Sequence, residues 1–384
     1  MYTRHLIELY FYMGFTYDEI TMILSMKHNI NISVRHLKRK LRELNLTRRK
    51  GYSDLDTVLS FLEYQLTTSG QMHGYRWMYQ KCLLNGLKVK KEEIRLVLEI
   101  LDPQGVELRQ RRCLRRRQYF SKGPNYCWHI DSYDKLKPYG LCINGCIDGY
   151  SRKLIWLKVG RSNSDPKVIA KYFLDAVEEY GGCPTFMRGD MGTENVRVAA
   201  MQRFLRRSDV LDNENDSTFI YGKSTLNTRI ESWWGILRKE CCQIWMEELR
   251  VLRDSGLFSG NALDISLVQF CLMRLLQDEL DDVMMVWNTH RIRANRNNTP
   301  SGRPLILHLL PDMENVEDHL CDVSEEEIEV CRMECAEETI YPCEEELFEL
   351  CCLHMEENNW NLPKAITEVI DLYLRLRNWL LTQL

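Results

Sequence analysis

The stretch CPTFMRGDMGTEN, residues 183–195, carries an aspartate out of an apolar run and straight into a glycine turn. The apolar part predicts a short buried strand, and Asp190 follows it directly. An aspartate here can simply cap a turn, because its side chain accepts hydrogen bonds from nearby backbone amides. The other interpretation, an acidic site at a strand end, requires further carboxylates elsewhere in the chain.

A second aspartate follows a strand further upstream. NYCWHIDSYD predicts a strand from Tyr126 to Ile130 that ends on Asp131. Residues 140–160 predict a β-hairpin around the turn DGYSR, and residues 165–182 an amphipathic helix bounded by Asp-Pro and Gly-Gly. If this helix is a crossover, the strand before Asp190 runs parallel to the first one. We therefore expect the two aspartates on adjacent strands at the same edge of a sheet.

A third carboxylate lies on a predicted helix, NTRIESWWGILRK, residues 227–239. Its apolar stripe consists of Ile230, Trp233, Trp234 and Leu237. On a second face lie Asn227, Glu231 and Arg238. A helix laid across the sheet would point Glu231 at the two aspartates, whereas a helix glutamate taken alone is solvent-exposed.

The net charge of −4 conceals three different regions. Residues 1–125 hold 23 Lys and Arg against 12 Asp and Glu, residues 126–311 hold 24 against 23, and residues 312–384 hold 4 against 20. Ordinary solvated helix faces explain the middle region well and the two ends poorly. The asymmetry favours a basic front that faces nucleic acid and an acidic tail that cannot approach phosphates.

Composition limits the class of protein. With 384 residues, 45% hydrophobic and 28% charged, the chain is typical of a soluble globular protein of two or three domains. No apolar run is long enough to cross a bilayer, and the first one lacks a signal-peptide pattern. Fifteen scattered cysteines favour reduced thiols inside the cell over a disulfide framework.

Residues 14–50 predict a helix-turn-helix. Thr16 and Glu19 form a capping box for the first helix, and Ser33 is a suitable N-cap for the second. The outward faces of the second helix carry basic side chains, among them Arg35, Lys38, Arg39 and Arg42. A basic second helix after a tight turn is the arrangement that enters the major groove of DNA. The alternative is a plain helical hairpin whose charges are only solvated.

Two further segments extend the basic front. Residues 74–101 repeat the helix-turn-helix plan more weakly, with Gly86 ending the first helix and no clear N-cap before the second. Residues 109–120, RQRRCLRRRQYF, hold six arginines within nine positions, including Arg115, Arg116 and Arg117. This linker predicts a strap along the phosphate backbone, a nuclear import signal, or both.

C-terminal to Glu231, the spacing of apolar residues predicts a long helix over residues 262–287. Residues 287–304 then predict a loop rich in Pro, Gly and Asn. The loop predicts phosphate contacts through its basic side chains, His290, Arg291, Arg293, Arg296 and Arg303. From residue 312 onward the chain is acidic and expected to be helical. We expect it to dock on an unknown protein partner or on the chain's own basic front.

The order of Asp131 in WHIDSYDK, Asp190 in RGDMGTEN and Glu231 in NTRIESWWGILRK resembles the integrase core of retroviral, retrotransposon and insertion-sequence integrases. This is the DDE superfamily, with a ribonuclease H-like fold. Residues 74–101 resemble the second helix-turn-helix of insertion-sequence integrases, and the whole is most similar to integrase-core proteins encoded in animal genomes.

Two features depart from the family pattern. Forty residues lie between Asp190 and Glu231, a few more than in retroviral integrases, and we expect the insert 209–224 to be a loop. The amino-terminal His/Cys zinc site of retroviral integrases has no counterpart before residue 82.

The resemblance implies an α/β ribonuclease H-like core, with a mixed sheet flanked by helices, between all-α helix-turn-helix units and a mainly helical tail. The expected domains are a helix-turn-helix, a second helix-turn-helix-like region, an Arg-rich linker, the catalytic core, a helical extension with a basic loop, and the acidic tail. Their ranges are 1–50, 51–108, 109–123, 124–245, 246–311 and 312–384.

The same resemblance implies a chemistry. Three hard carboxylates suit two Mg²⁺ or Mn²⁺ ions, with Asp131 and Asp190 holding the first and Glu231 completing the second. Water as nucleophile would hydrolyse a DNA end, and a 3′-hydroxyl would give strand transfer. Arg238 is expected to meet a phosphate. Two acidic residues rank lower because they suit a hairpin turn and a turn-to-helix junction: Asp148 and Glu194.

Three functions remain open at this point. The leading one is a DNA integrase or transposase-like polynucleotidyl transferase. The second is a domesticated DNA-binding protein with a non-catalytic core, and the third a ribonuclease H-type nuclease. The expected partner is double-stranded DNA, the resemblance implies a homo-oligomer, and the arginines of the linker favour the nucleus over the cytoplasm.

Overall fold

The computed structural model of the protein describes residues 2–48, 50–103, 105–106, 119–207, 217–222, 227–293, 300–337, 341–363 and 365–383. The chain divides into two compact units. The first comprises residues 1–124, 150–153 and 285–318, and the second comprises residues 125–149, 154–284 and 319–384.

Helices dominate both units. The described α-helices are α1 (Tyr2–Tyr12), α2 (Tyr17–His28), α3 (Val34–Glu43), α4 (Leu55–Leu66), α5 (Tyr75–Leu84), α6 (Lys91–Leu101), α7 (Pro166–Tyr180), α8 (Val196–Leu205), α9 (Thr228–Leu237), α10 (Gln243–Asp254), α11 (Ala262–Thr289), α12 (Pro304–Leu309), α13 (Glu325–Arg332), α14 (Glu345–Glu357) and α15 (Ile366–Gln383). The described strands are β1 (Cys127–Tyr133), β2 (Cys142–Asp148), β3 (Leu154–Gly160), β4 (Gly182–Pro184), β5 (Phe186–Gly189), β6 (Phe219–Tyr221) and β7 (Leu320–Asp322).

In the first unit, α1, α2 and α3 form a bundle around a buried apolar cluster. The predicted capping box of Thr16 and Glu19 starts α2, and Ser33 accepts a hydrogen bond from the backbone of His36 to start α3, so both predictions are confirmed. α1 precedes the predicted helix-turn-helix and adds a third helix to it. Ile306 and Leu310, from α12 and its end, belong to the same buried cluster.

A second bundle in this unit consists of α4, α5 and α6 around its own apolar cluster. Gly86 follows α5 with a positive φ of 74°, which confirms the predicted helix end. At the start of α6, for which the sequence shows no clear N-cap, the backbone amide of Lys90 donates to Glu93 at 3.3 Å.

The second unit is built on a five-stranded mixed sheet in the order β3-β2-β1-β5-β6. β1, β2 and β3 pair antiparallel, while β5 pairs parallel with both β1 and β6. Since α7 lies between β3 and β5 in the chain, it provides the predicted crossover. The expectation that 209–224 is entirely a loop is wrong, because β6 lies within it and extends the sheet.

The two faces of β1 carry different neighbours, as alternation along a strand requires. Trp128 and Ile130 join the buried cluster formed with α7 and α8. His129 and Asp131 lie on the opposite face, where they bond to residues at or in α9. The acidic positions therefore lie on the face that α9 covers.

The acidic tail packs against this same unit. β7 pairs antiparallel with β4, and Arg332 of α13 forms an ion pair with Glu178 of α7. Tyr373 donates to the carbonyl oxygen of Leu257 at 2.9 Å. None of the described helices combines the length and the apolar character needed to span a bilayer.

Candidate active site

Parallel pairing of β1 with β5 sets the positions of the two aspartates. His129 pairs with Arg188 in this register, and two residues further along the chain come Asp131, within β1, and Asp190, directly after β5. The prediction of adjacent parallel strands is confirmed. Asp131, however, lies inside β1, which continues to Tyr133 instead of ending at the aspartate.

Asn227 fixes the start of α9 against β1. This residue is buried, its Oδ1 lies 2.7 Å from Nδ1 of His129, and its Nδ2 donates to the carbonyl oxygen of Ile130 at 2.8 Å. Burial lowers the pKa of His129 to about 3, so the imidazole is neutral and its Nδ1–H donates to the amide oxygen. The sequence analysis placed Asn227 on the polar face with Glu231, whereas it faces β1.

Glu231 lies one helical turn after Asn227 and is exposed. Partial desolvation raises its pKa, and the charge of Asp190 raises it further. The apolar stripe predicted for α9 is confirmed, since all four of its members are buried: Ile230, Trp233, Trp234 and Leu237. The helix thus turns Glu231 toward the region of Asp190 while its other face packs inward.

The pKa of Asp131 is raised far above the usual range of an aspartate. Burial raises its pKa to about 7, and the charges of Glu231 and Asp190 act in the same direction. A hydrogen bond from Nε1 of Trp234 to Oδ2, 2.9 Å long, opposes this rise. Three acidic side chains from β1, the β5 turn and α9 therefore share one electrostatic neighbourhood.

Asp190 does cap its turn, as the simpler interpretation predicts. Its Oδ1 accepts from the backbone amide of Gly192 at 3.1 Å and from Nδ2 of Asn195 at 2.9 Å. Burial raises the pKa of the neighbouring Glu194, and Asp190 adds to that rise. Both turn-capping bonds use Oδ1, so capping the turn does not exclude Asp190 from the acidic group.

The donor set suits a hard divalent cation, because it consists of carboxylate oxygens held by protein donors. Asp131, Asp190 and Glu231 are the residues that could hold such an ion, with Glu194 beside Asp190. Within the part of the chain that the structure describes, no three His, Cys, Asp or Glu side chains lie close enough together to hold a metal. Like charges repel, so a cation would have to draw these carboxylates together.

The DNA-contact candidates of α3 are available at the surface. Arg35, Lys38, Arg39 and Arg42 are all exposed. The ammonium of Lys38 lies over the ring of Tyr17, 5.4 Å from its centroid. The second helix of the predicted helix-turn-helix therefore presents a basic face.

The remaining basic candidates differ in their surroundings. Arg238 is exposed at the start of a π-helical turn, Arg238–Cys242, and donates to Gln243 at 2.9 Å. Arg291 and Arg293 are exposed on their loop. Four predicted contacts lie outside the described residues: Arg115, Arg116, Arg117 and Arg296.

Two members of the predicted phosphate-binding loop have structural roles instead. Arg303 is largely buried, donates to the carbonyl oxygen of Gly14 at 2.7 Å and lies 3.6 Å from Glu19. His290 packs on Trp287, and desolvation lowers its pKa to about 4, so it carries no charge at neutral pH. The expectation of phosphate contacts from these two residues is wrong.

Two polar partners of the acidic group, Trp234 and Asn195, were not predicted from the sequence, and neither were the contacts of Asn227 with β1. The sequence pattern placed Trp234 in the apolar stripe of α9 and gave no sign of a polar contact, although its indole N–H is a hydrogen-bond donor. The bonds of Trp234 and Asn227 to β1 span 103 and 98 residues, which no local pattern reveals. The contact of Asn195 with Asp190 could have been predicted from the sequence, because the two residues lie only five positions apart on one turn.

Comparison with known proteins identifies the family. A family model described as integrase core domain matches residues 118–309, half of the chain, and contains all three carboxylates. The chain belongs to the integrase core family, a polynucleotidyl-transferase-like superfamily with a ribonuclease H-like fold. A search among curated proteins finds no match.

Proposed function

We propose that the protein is a divalent-metal-dependent DNA integrase that processes DNA ends and joins them to a target. The observation that supports this most is the shared electrostatic neighbourhood of Asp131, Asp190 and Glu231 on the face of the sheet covered by α9. A carboxylate cluster is costly without a cation, and the family carries out phosphoryl-transfer chemistry.

The proposed roles follow from where the side chains lie. Asp131 and Asp190 would hold one Mg²⁺ or Mn²⁺ and Glu231 would complete a second site; the ions would supply charge stabilisation and an activated oxygen at phosphorus. The exposed guanidinium of Arg238 would bind a backbone phosphate near that site. The basic face of α3 would bind duplex DNA, and Arg291 and Arg293 would add phosphate contacts.

A strand-transfer assay tests the proposal. The full chain is incubated with Mn²⁺ or Mg²⁺, a donor DNA and a plasmid target. The donor is a duplex oligonucleotide that carries the terminal repeats of the genetic element in which the gene for the chain lies. Asp131→Asn, Asp190→Asn and Glu231→Gln should each abolish joining while leaving DNA binding intact. Asp278→Asn, which removes an exposed carboxylate from α11, serves as the matched control and should remain active.

One observation favours the second candidate, a DNA-binding protein with a non-catalytic core. In the described residues the carboxylates do not come within metal-binding distance as a group of three. On that hypothesis, Mg²⁺ would not raise the thermal midpoint, and the three substitutions would change neither stability nor activity. An RNA–DNA hybrid offered as substrate distinguishes the third candidate, a ribonuclease H-type nuclease.

Assembly and location belong to the same proposal. Integration joins two DNA ends, so we expect a homo-oligomer on DNA, which sedimentation of the protein–DNA complex would measure. The Arg-rich segment 109–117 would direct the chain to the nucleus. Replacing its arginines with glutamine and imaging a tagged chain tests that expectation.

A further inference from the structure

Trp234 reaches Asp131 from a helix face that otherwise packs into the core. Its Nε1 donates to Oδ2 of Asp131 at 2.9 Å, and its ring is buried beside Tyr133, with 5.5 Å between the ring centroids. An indole N–H can only donate, so the oxygen that it binds must act as an acceptor. The contact therefore holds the carboxylate in a fixed orientation from one side.

Gly145 makes this contact possible. It pairs with Asp131 across β1 and β2, in the middle of a strand, where glycine is normally unfavourable. A Cβ atom at this position would lie 2.8 Å from Cη2 of Trp234 and 3.3 Å from Leu157. The ring is rigid and buried, so it could not move aside without losing its place over the strand. A missing side chain on β2 thus admits the indole to the carboxylate on β1.

We propose that Trp234, admitted by Gly145, is a positioning residue that orients Asp131 as a metal ligand. The proposal rests on the proposed function, because it assigns a task to a carboxylate that is taken to bind the cation. A ligand already held by a hydrogen bond loses less conformational freedom when the ion binds. The proposal is independent of how the ion is shared with Asp190 and Glu231.

The structure supplies matched variants. Trp234→Phe keeps an aromatic ring and removes the N–H donor together with part of the buried ring volume. Trp233→Phe removes an indole from the adjacent buried position of the same helix and leaves the bond to Asp131 in place. Gly145→Ala would displace the indole, whereas Gly235→Ala adds the same methyl group in open space on α9.

Mn²⁺ binding to the metal-free full chain, measured by calorimetry or by the spin resonance of free Mn²⁺, tests the proposal. Trp234→Phe and Gly145→Ala should each weaken binding by about tenfold or more. Trp233→Phe and Gly235→Ala should bind as the unmodified chain does. A second readout is the indole ¹H–¹⁵N resonance of Trp234, assigned from Trp234→Phe, which should shift when Mg²⁺ is added and when Asp131 becomes Asn.

The outcomes separate this proposal from the function on which it rests. If Asp131→Asn lost Mn²⁺ binding while Trp234→Phe retained it, the positioning role would be overturned and the metal site would stand. If Asp131→Asn bound Mn²⁺ as well as the unmodified chain, the metal-dependent function would fail and the positioning role with it. Should Trp234→Phe not fold, Mn²⁺ binding to Gly145→Ala, compared with Gly235→Ala, decides the matter.

Discussion

At the scale of single residues, Asp131 shows that an ionised carboxylate in this site lowers the stability of the metal-free fold. Burial and the charges of Glu231 and Asp190 raise its pKa to about 7, well above the ordinary value of 3.8. The folded, metal-free chain therefore retains a proton at this carboxylate that the unfolded chain has released. Between the two pKa values, folding takes up a proton.

The free energy of unfolding of the metal-free chain should consequently fall as pH rises from about 4 to about 7. The Asp131 contribution has an upper bound of roughly 4 kcal/mol for a shift of about three pH units. Urea unfolding in EDTA at pH 5 and pH 7.5 measures it. Asp131→Asn should flatten the dependence in part, since Glu231 and Glu194, with pKa values shifted in the same direction, retain theirs. Identical slopes for both chains would contradict the assignment.

Two glycines of the site region should respond in opposite ways to the same methyl group. Gly145→Ala should destabilise the fold by about 1–3 kcal/mol, because the new Cβ meets the ring of Trp234. Gly235→Ala should stabilise it by about 0.5–1 kcal/mol, since no atom lies within 4 Å and alanine favours a helix. Thermal and urea unfolding check both changes. Equal effects would mean that the indole does not pack where the structure places it.

At the scale of elements, Asn227 joins α9 to β1. Asn227→Ala should cost about 1–3 kcal/mol, because His129 and the carbonyl oxygen of Ile130 lose a buried partner. The rise in thermal midpoint on adding Mg²⁺ should shrink as well, since α9 also carries Glu231. Asn358→Ala, at an exposed helix end, is the control and should change neither quantity.

The basic face of α3 should govern DNA affinity through its charge. Replacing Arg35, Lys38 and Arg39 together with alanine should weaken binding and lower the slope of log K against log salt by up to about 3. A control with the same loss of charge replaces exposed arginines of α10 and α11: Arg250, Arg253 and Arg274. Fluorescence anisotropy at several salt concentrations gives the slopes. Equal slopes for the two variants would remove α3 as the binding helix.

Local chemistry explains which elements the sequence could predict. The sequence predicted three local features correctly: the capping residues of α2 and α3, the turn after β2 and the apolar stripe of α9. Each depends on interactions between residues only a few positions apart, so a local pattern is enough to predict it. The sequence did not predict β6, because this strand has only three residues in a polar segment and is stabilised by pairing with β5 in the folded chain. Strand ends locate Asp131 and Asp190 in the sequence and helical periodicity locates Glu231, whereas the bonds of Trp234 and Asn227 to β1 arise only in the folded chain.

At the scale of the whole molecule, the acidic tail from residue 319 onward is part of the folded second unit. Arg377 of α15 bonds to the buried Asp264 at 2.8 Å. Deleting residues 312–384 would remove such contacts and so would test folding together with DNA affinity. Single substitutions probe the tail more cleanly.

Arg377→Ala should destabilise the second unit by up to about 3–5 kcal/mol, because it removes the cation paired with the buried Asp264 and leaves that carboxylate only its hydrogen bonds from Ser259. The tail and the sheet should still lose structure in one transition, followed by tryptophan fluorescence and circular dichroism. Arg375→Ala, on the exposed side of the same helix near Trp360, should cost far less. Separate transitions for tail and sheet would show that the tail folds on its own.

Ile306 and Leu310 complete the buried cluster of α1, α2 and α3, and this has a consequence for the growing chain on the ribosome. The buried cluster is incomplete until residue 310 has been added. At roughly 5–20 residues per second, this is a delay of on the order of ten to fifty seconds after α3 is made. A nascent chain in that interval exposes apolar surface that a chaperone can shield. The helix that we propose to bind DNA therefore matures only in a polypeptide that already contains Asp131, Asp190 and Glu231.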